Sequence, residues 1–163
     1  MVKLTVALTS CLLATCEPTK ETDIDFYNNS YDRTQVYCLA SNIFHEARGE
    51  EEANQIIIGL ITTARAREKS ISVCRAVYEW NQFSWTNEDL EASAKKRKGK
   101  EWYASYRTAF DVYYGKYDLQ GRFECVRFYK RTDNVGVSEN GKKFFAKLRF
   151  VSEFGKHSAY CKK

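Results

Sequence analysis

From position 34 onward, apolar residues recur at helical spacing. Val36, Leu39, Ala40, Ile43 and Ala47 share one sector of a wheel turned about 100° per residue. The pattern predicts a first helix starting at Thr34 and stopped by Gly49, a residue suited to the left-handed step beyond a helix end. A second helix is expected over 51–69, through Ile56, Ile57, Ile58, Leu60 and Ile61. It is apolar over much of its circumference, which places it at the centre of the core. A short helical turn follows at Val73–Tyr78, then a loop over 79–86 reading EWNQFSWT, and a further short helix from near Asn87. Residues 101–114 are amphipathic through Trp102, Tyr106, Ala109 and Tyr113, with Gly115 as the stop. Beyond that the texture turns to strand over 122–130 and 147–151, with Asn140-Gly141 as a tight-turn signal between them. The expected fold class is α+β, mainly α: a helical lobe with a small C-terminal β element.

The N-terminal stretch 1–16, MVKLTVALTSCLLATC, carries one lysine and an apolar centre broken by small residues, and Glu17 and Pro18 follow it. It reads as a secretion signal, too short and too interrupted to span a bilayer. Leu13-Ala14-Thr15-Cys16 approximates a lipoprotein cleavage box, so membrane attachment through a lipidated Cys16 stands beside simple cleavage; a retained N-terminal helix is the bland alternative. Residues 17–33 are polar and acidic and read as a tether, leaving 34–163 as a single domain, expected to be a monomer. Removing the signal leaves Cys38, Cys74, Cys125 and Cys161, with no Cys-x-x-Cys among them. That predicts one or two disulfides in an exported protein, with three pairings open, in preference to a zinc knuckle.

A net charge of +5 fits an anionic partner, whether wall polymer, membrane surface or nucleic acid, and selects none of them. The run KKRKGK over 95–100, beside Trp102 and Tyr103, is the one feature that suits nucleic acid. The secretion signal and the cysteines argue against such a partner, and the run reads as a solvated loop. It can also hold the protein near acidic wall polymers by an attraction that salt weakens.

Candidate chemistry concentrates in SNIFHEARGEEE over 41–52, which holds four glutamates and one of the two histidines. On the helical wheel Glu46 falls beside Leu39 at the edge of the apolar sector, while Asn42, His45 and Arg48 fall outside it. Glu50, Glu51 and Glu52 come after Gly49 and are expected to crown the second helix, where carboxylates oppose the helix dipole favourably. One glutamate therefore leans on the core. Partial desolvation raises the pKa of such a carboxyl, and an acid that keeps its proton near neutrality can protonate a leaving oxygen. The bland alternative is an ion pair of Glu46 with Arg48 or Arg65. A zinc peptidase would need His-Glu-x-x-His, and Gly49 stands where the second histidine belongs. No metal and no other cofactor are expected.

At these residues the sequence resembles the SleB/CwlJ cell-wall hydrolase family, the cortex-lytic enzymes of spore formers and their relatives in other bacteria and phages. Glu46-Ala-Arg-Gly-Glu50 looks like its opening motif, and Arg65 closes the following helix, with Ala64 where the family usually has asparagine. Val73-Cys-Arg-Ala-Val-Tyr78 and Gln82-Phe-Ser84 resemble the next segment, without its usual glycine and proline before the glutamine. Phe128-Tyr129 sits where an aromatic–histidine pair is common, and Gly155-Lys-His157 with Tyr160 resembles the closing Gly-x-His-x-x-Tyr. The likeness runs from about Cys38 to Tyr160. It implies a lysozyme-like fold and cleavage of the MurNAc–GlcNAc bond of peptidoglycan as a lytic transglycosylase, with Glu46 as the acid. Gln82, Phe83, Ser84, Tyr129, His157 and Tyr160 are then the substrate-contact candidates, although plain packing is the competing reading for Phe83 and Trp85. The product would carry a 1,6-anhydro-MurNAc end, and the protein would be periplasmic or wall-associated, encoded by a bacterium or a phage. Two alternatives stand beside it. One is a non-catalytic glycan-binding module. The other is a muramidase using water, for which Asp89, Asp111 and Glu153 are candidate second carboxylates.

Overall fold

A computed structural model describes residues 29–79, 82–87, 96–135 and 137–163. The expected signal with Cys16, most of the tether, Asp89, the start of the lysine run and nearly all of the short helix expected from Asn87 lie outside the described residues. The fold is mixed α+β with helix predominating, as the hydropathy pattern implied.

Helix α1 spans Ser30–Ala47, four residues longer at its start than the apolar pattern suggested. Asn29 supplies the reason: its side-chain carbonyl accepts from the backbone N–H of Tyr31 and Asp32, a cap that lets polar residues 30–33 join the helix. Those residues are thus helix, not tether. Gly49, at φ +76°, turns the chain out after α1. Helix α2, Glu52–Glu68, is close to the expected range, and Ile58, Leu60 and Ile61 are buried. A Cβ on its Gly59 would come within 3.1 Å of Ile43 Cδ1 and 3.4 Å of Val112, so glycine allows α1 and α2 to close on the long helix described next. Helix α3 is Val73–Tyr78, capped by Ser72, and helix α4 is Gly99–Tyr113. Val36, Leu39, Ile43, Ile58, Ile61, Ala109 and Val112 form the centre of the shared core.

The C-terminal part carries three strands, β1 Phe128–Arg131, β2 Arg149–Phe154 and β3 His157–Cys161, antiparallel in the order β1-β3-β2. Two expectations are corrected here. Residues 121–123 form a 3-10 turn, so the first strand begins later than 122. Asn140-Gly141 is no hairpin turn but part of helix α5, Glu139–Ala146, because Ser138 caps it by accepting from the N–H of Gly141. The tight turn lies instead between β2 and β3, at Gly155-Lys156, with Phe154 and His157 paired across it. Alternation along β3 turns His157, Ala159 and Cys161 towards the helices, all three buried.

Of the three pairings open to the cysteines, the structure takes Cys38–Cys74 and Cys125–Cys161. The first ties α1 to α3, and the second ties the approach to β1 to the end of β3. Two disulfides suit an oxidising compartment. No helix among the described residues is long and apolar enough to cross a membrane.

Candidate active site

Glu46 occupies the last turn of α1, where the helix passes under the inner face of the sheet. Its side chain is 17% exposed. The ion pair with Arg48 or Arg65 does not form: Arg48 lies over the ring of Phe44 and Arg65 over that of Phe83. Among the described residues no hydrogen-bond donor reaches the carboxyl, and His157 Nε2 lies 3.9 Å from its Oε2. Burial raises the Glu46 pKa from 4.5 to about 7, with Arg131 opposing the rise and Glu50 adding to it. Arg131 itself is engaged elsewhere, gripping Asp133 through two hydrogen bonds of 2.6 and 3.1 Å.

His157 is 1% exposed and lies between two carboxyl groups. Nε2 faces Glu46, while Nδ1 is 3.7 Å from Glu50 Oε1. The ring is wedged between aromatic neighbours: Phe154 stacks at 5.5 Å and Tyr129 meets it edge-on at 5.3 Å. Burial, aided by the positive charges of Arg131 and Lys156, lowers the His157 pKa to about 4, so the ring is neutral at physiological pH.

Glu50 departs from expectation. It does not crown the second helix in solvent; its side chain is 6% exposed and turned beneath the β2–β3 turn. Oε2 accepts from the backbone N–H of Lys156 at 3.3 Å. A glycine above it leaves room for this approach, since a Cβ on Gly155 would fall 1.9 Å from that same oxygen and displace it. Sequence reasoning missed this residue by grouping it with Glu51 and Glu52. The available signal was the left-handed glycine before it, which redirects the chain.

Asn42 was also misplaced by the wheel, and so was His45. Asn42 is fully buried, four residues before Glu46 on the same face of α1. Its amide donates to Thr62 Oγ1 at 2.9 Å and to the Tyr129 hydroxyl at 3.4 Å, and its carbonyl accepts from Trp85 Nε1–H at 3.4 Å. It therefore holds α1, α2, β1 and the 82–87 loop in one arrangement. His45 does not face solvent either, for its ring stacks on Trp85 at 4.4 Å with 13° between planes. The Tyr129 pKa is raised well above the usual phenol value by burial and then by the Glu46 charge, so the hydroxyl keeps its proton.

The remaining sequence candidates divide. Tyr129 and His157 come together with Glu46 on the inner side of the sheet. Phe83 is buried, its ring 6.1 Å from Tyr129 and 6.4 Å from Trp85, and it serves as packing under the site. Gln82 is half-buried and Ser84 exposed on the same loop, which the Trp85 contacts pin beside α1. Tyr160 is not part of this group. As a neighbour of inward-facing Ala159 it points to the other face of β3, against Phe145 and Phe150. Of the candidate second carboxylates, Asp111 is bound to Lys116 on α4, and Glu153, exposed, pairs with Ser158 on that outer face. A separate cavity of about 290 Å³, lined in part by Tyr31, Gln35, Arg67 and Tyr113, contains none of these residues. Among the described residues no group of three or more His, Cys, Asp or Glu side chains is placed to hold one metal ion. His157 turns its two nitrogens to different glutamates, which shows why this trio cannot share an ion.

Comparison with known proteins adds no relative: no family model, no curated protein and no solved structure matches the chain.

Proposed function

We propose that this protein cleaves the glycosidic bond between N-acetylmuramic acid and N-acetylglucosamine in peptidoglycan, with Glu46 as the acid. The observation that carries the reading is a carboxyl at a helix end, free of hydrogen-bond donors among the described residues, whose pKa lies at about 7. Near neutral pH about half of such groups hold a proton, the condition under which a single carboxyl can both give and take one. The likeness of Glu46-Ala-Arg-Gly-Glu50 to the SleB/CwlJ hydrolases supplies the substrate class.

Glu46 donates its proton to the oxygen leaving the muramic C1. As positive charge develops there, the sugar's own C6 hydroxyl attacks C1 and its proton passes to the Glu46 carboxylate. The products are a free 4-hydroxyl and a 1,6-anhydro ring, and the enzyme recovers its starting state. Water-dependent inversion would need a second carboxylate across the cleft. Glu50 is a poor choice for that role, being nearly inaccessible and occupied by Lys156 N–H, and this favours the lyase outcome.

The deciding experiment is clearing of purified sacculi. Wild type is expected to clear them, and Glu46→Gln to be slower by about 10²–10⁴-fold. Equal clearing by the two proteins would remove Glu46 from the mechanism. Binding without clearing by wild type would favour a glycan-binding module. Mass spectrometry of released fragments separates lyase from hydrolase, since anhydro ends are lighter by one water.

A further inference from the structure

We propose that Glu50 is a positioning residue that fixes the tautomer of His157, placing the proton on Nδ1 and leaving Nε2 as a bare acceptor directed at the Glu46 carboxyl. This inference rests on the acid role given to Glu46, but its first test does not.

Among the described residues both nitrogens of this ring, 1% exposed, have no hydrogen-bond partner. Leaving buried polar atoms unsatisfied is costly, which favours any small closure that pairs them. The two carboxyl groups lie within reach of such a closure, 3.7 Å from Nδ1 and 3.9 Å from Nε2. A neutral imidazole has one N–H and one lone pair, so it can donate to only one of the two. Glu50 has the stronger claim to the N–H. Its other oxygen already accepts from Lys156 N–H, which holds the carboxyl beneath the β2–β3 turn with Oε1 towards Nδ1. Glu46 is then left facing a lone pair, with which only the protonated carboxyl can pair. The arrangement holds the proton on Glu46 and points it at a fixed atom until substrate arrives.

The charged and titratable groups around this row are few. Glu46 faces it from α1 and Glu50 from the α1–α2 connection. Tyr129 and Arg131 come from β1, Asp133 lies just beyond, and Lys156 belongs to the turn before β3. Arg131 and Lys156 both disfavour an imidazolium, and Asp133, held by Arg131, opposes them weakly. None of these supplies Nε2 with a rival donor.

The chain has only two histidines, so nitrogen NMR of histidine-labelled protein can read the tautomer directly, with the His157 signal assigned by its loss in His157→Gln. Wild type at neutral pH is expected to show Nδ1 protonated and Nε2 bare. A proton on Nε2, or on both nitrogens, overturns the proposal whether or not the protein attacks peptidoglycan. Glu50→Gln is expected to release the tautomer, giving a mixed or inverted signal; an unchanged Nδ1–H form there also overturns it. The consequence for Glu46 is read from the pH profile of clearing. His157→Gln leaves the charge of Glu50 in place, yet the alkaline limb should move down by roughly one pH unit, a tenfold loss of the protonated acid above the limb. An unmoved limb in a variant whose near-ultraviolet dichroism matches wild type rules out His157 as the keeper of that proton. Clearing that survives Glu46→Gln would instead defeat the acid assignment and leave the tautomer result standing.

Discussion

Glu46 titrates near 4.5 in an unfolded chain and at about 7 in the fold. Between those values the folded state holds more protons than the unfolded state, so this group's contribution to stability declines as pH rises through the window. Above pH 7 the ionised side chain carries the full penalty, on the order of 3 kcal/mol. Glu46→Gln replaces it with a neutral group of the same shape. The variant is therefore expected to melt several degrees above wild type at pH 8 and to match it near pH 4.5. A difference that is the same at both pH values would contradict the burial argument. His157 has the opposite sign, since its folded pKa is depressed to about 4 and stability is lost as pH falls from 6.5 towards 4. In wild type the two effects oppose one another over their shared range, whereas Glu46→Gln should show the histidine's slope alone. For activity, the clearing rate should fall as pH rises through about 7, because the acid must enter the reaction protonated.

At the scale of elements, the site depends on how a two-residue turn meets a helix connection. Gly155 sits at φ +50°, where a side chain is disfavoured by about 1–2 kcal/mol, and any Cβ there would strike Glu50 and also Asn54 Nδ2 at 2.7 Å. Gly155→Ala should lower the melting temperature by several degrees and should displace Glu50, cutting activity more than the loss of stability accounts for. Thermal melts and sacculus clearing on the same preparation check this, and a variant destabilised but fully active would show that the Glu50 contact is merely structural. The same hairpin explains why element assignment from sequence was uneven. Asn140-Gly141 has hairpin composition, but Ser138 sits three residues before Gly141 and its cap bond recruits the pair into α5. The β3 strand escaped notice because His157, Ser158 and Ala159 are all buried, a run without the polar alternation that marks a half-exposed strand.

For the whole molecule, the two disulfides join α1 to α3 and the approach to β1 to the end of β3. Cys125–Cys161 spans a sequence separation of 36 and closes the sheet that carries His157 and Tyr129. Replacing both cysteines with serine is expected to cost about 2–4 kcal/mol and to weaken clearing, measured by denaturant unfolding and turbidity with and without reductant. The helical lobe was legible beforehand: the 3.6-residue repeat of Val36, Leu39, Ile43 and Ala47 and the apolar girth of α2 depend on local period alone. So was the lean of Glu46 on the core, because position on a helix follows from counting. Which nitrogen of His157 meets which glutamate was not legible, nor was the burial of Asn42 and Glu50. Those contacts join residues up to 111 positions apart, as Glu46 and His157 are, and no local period encodes them. They exist because the Gly155 turn lays β3 across the end of α1, and that docking is a property of the packed molecule, beyond the reach of any one segment.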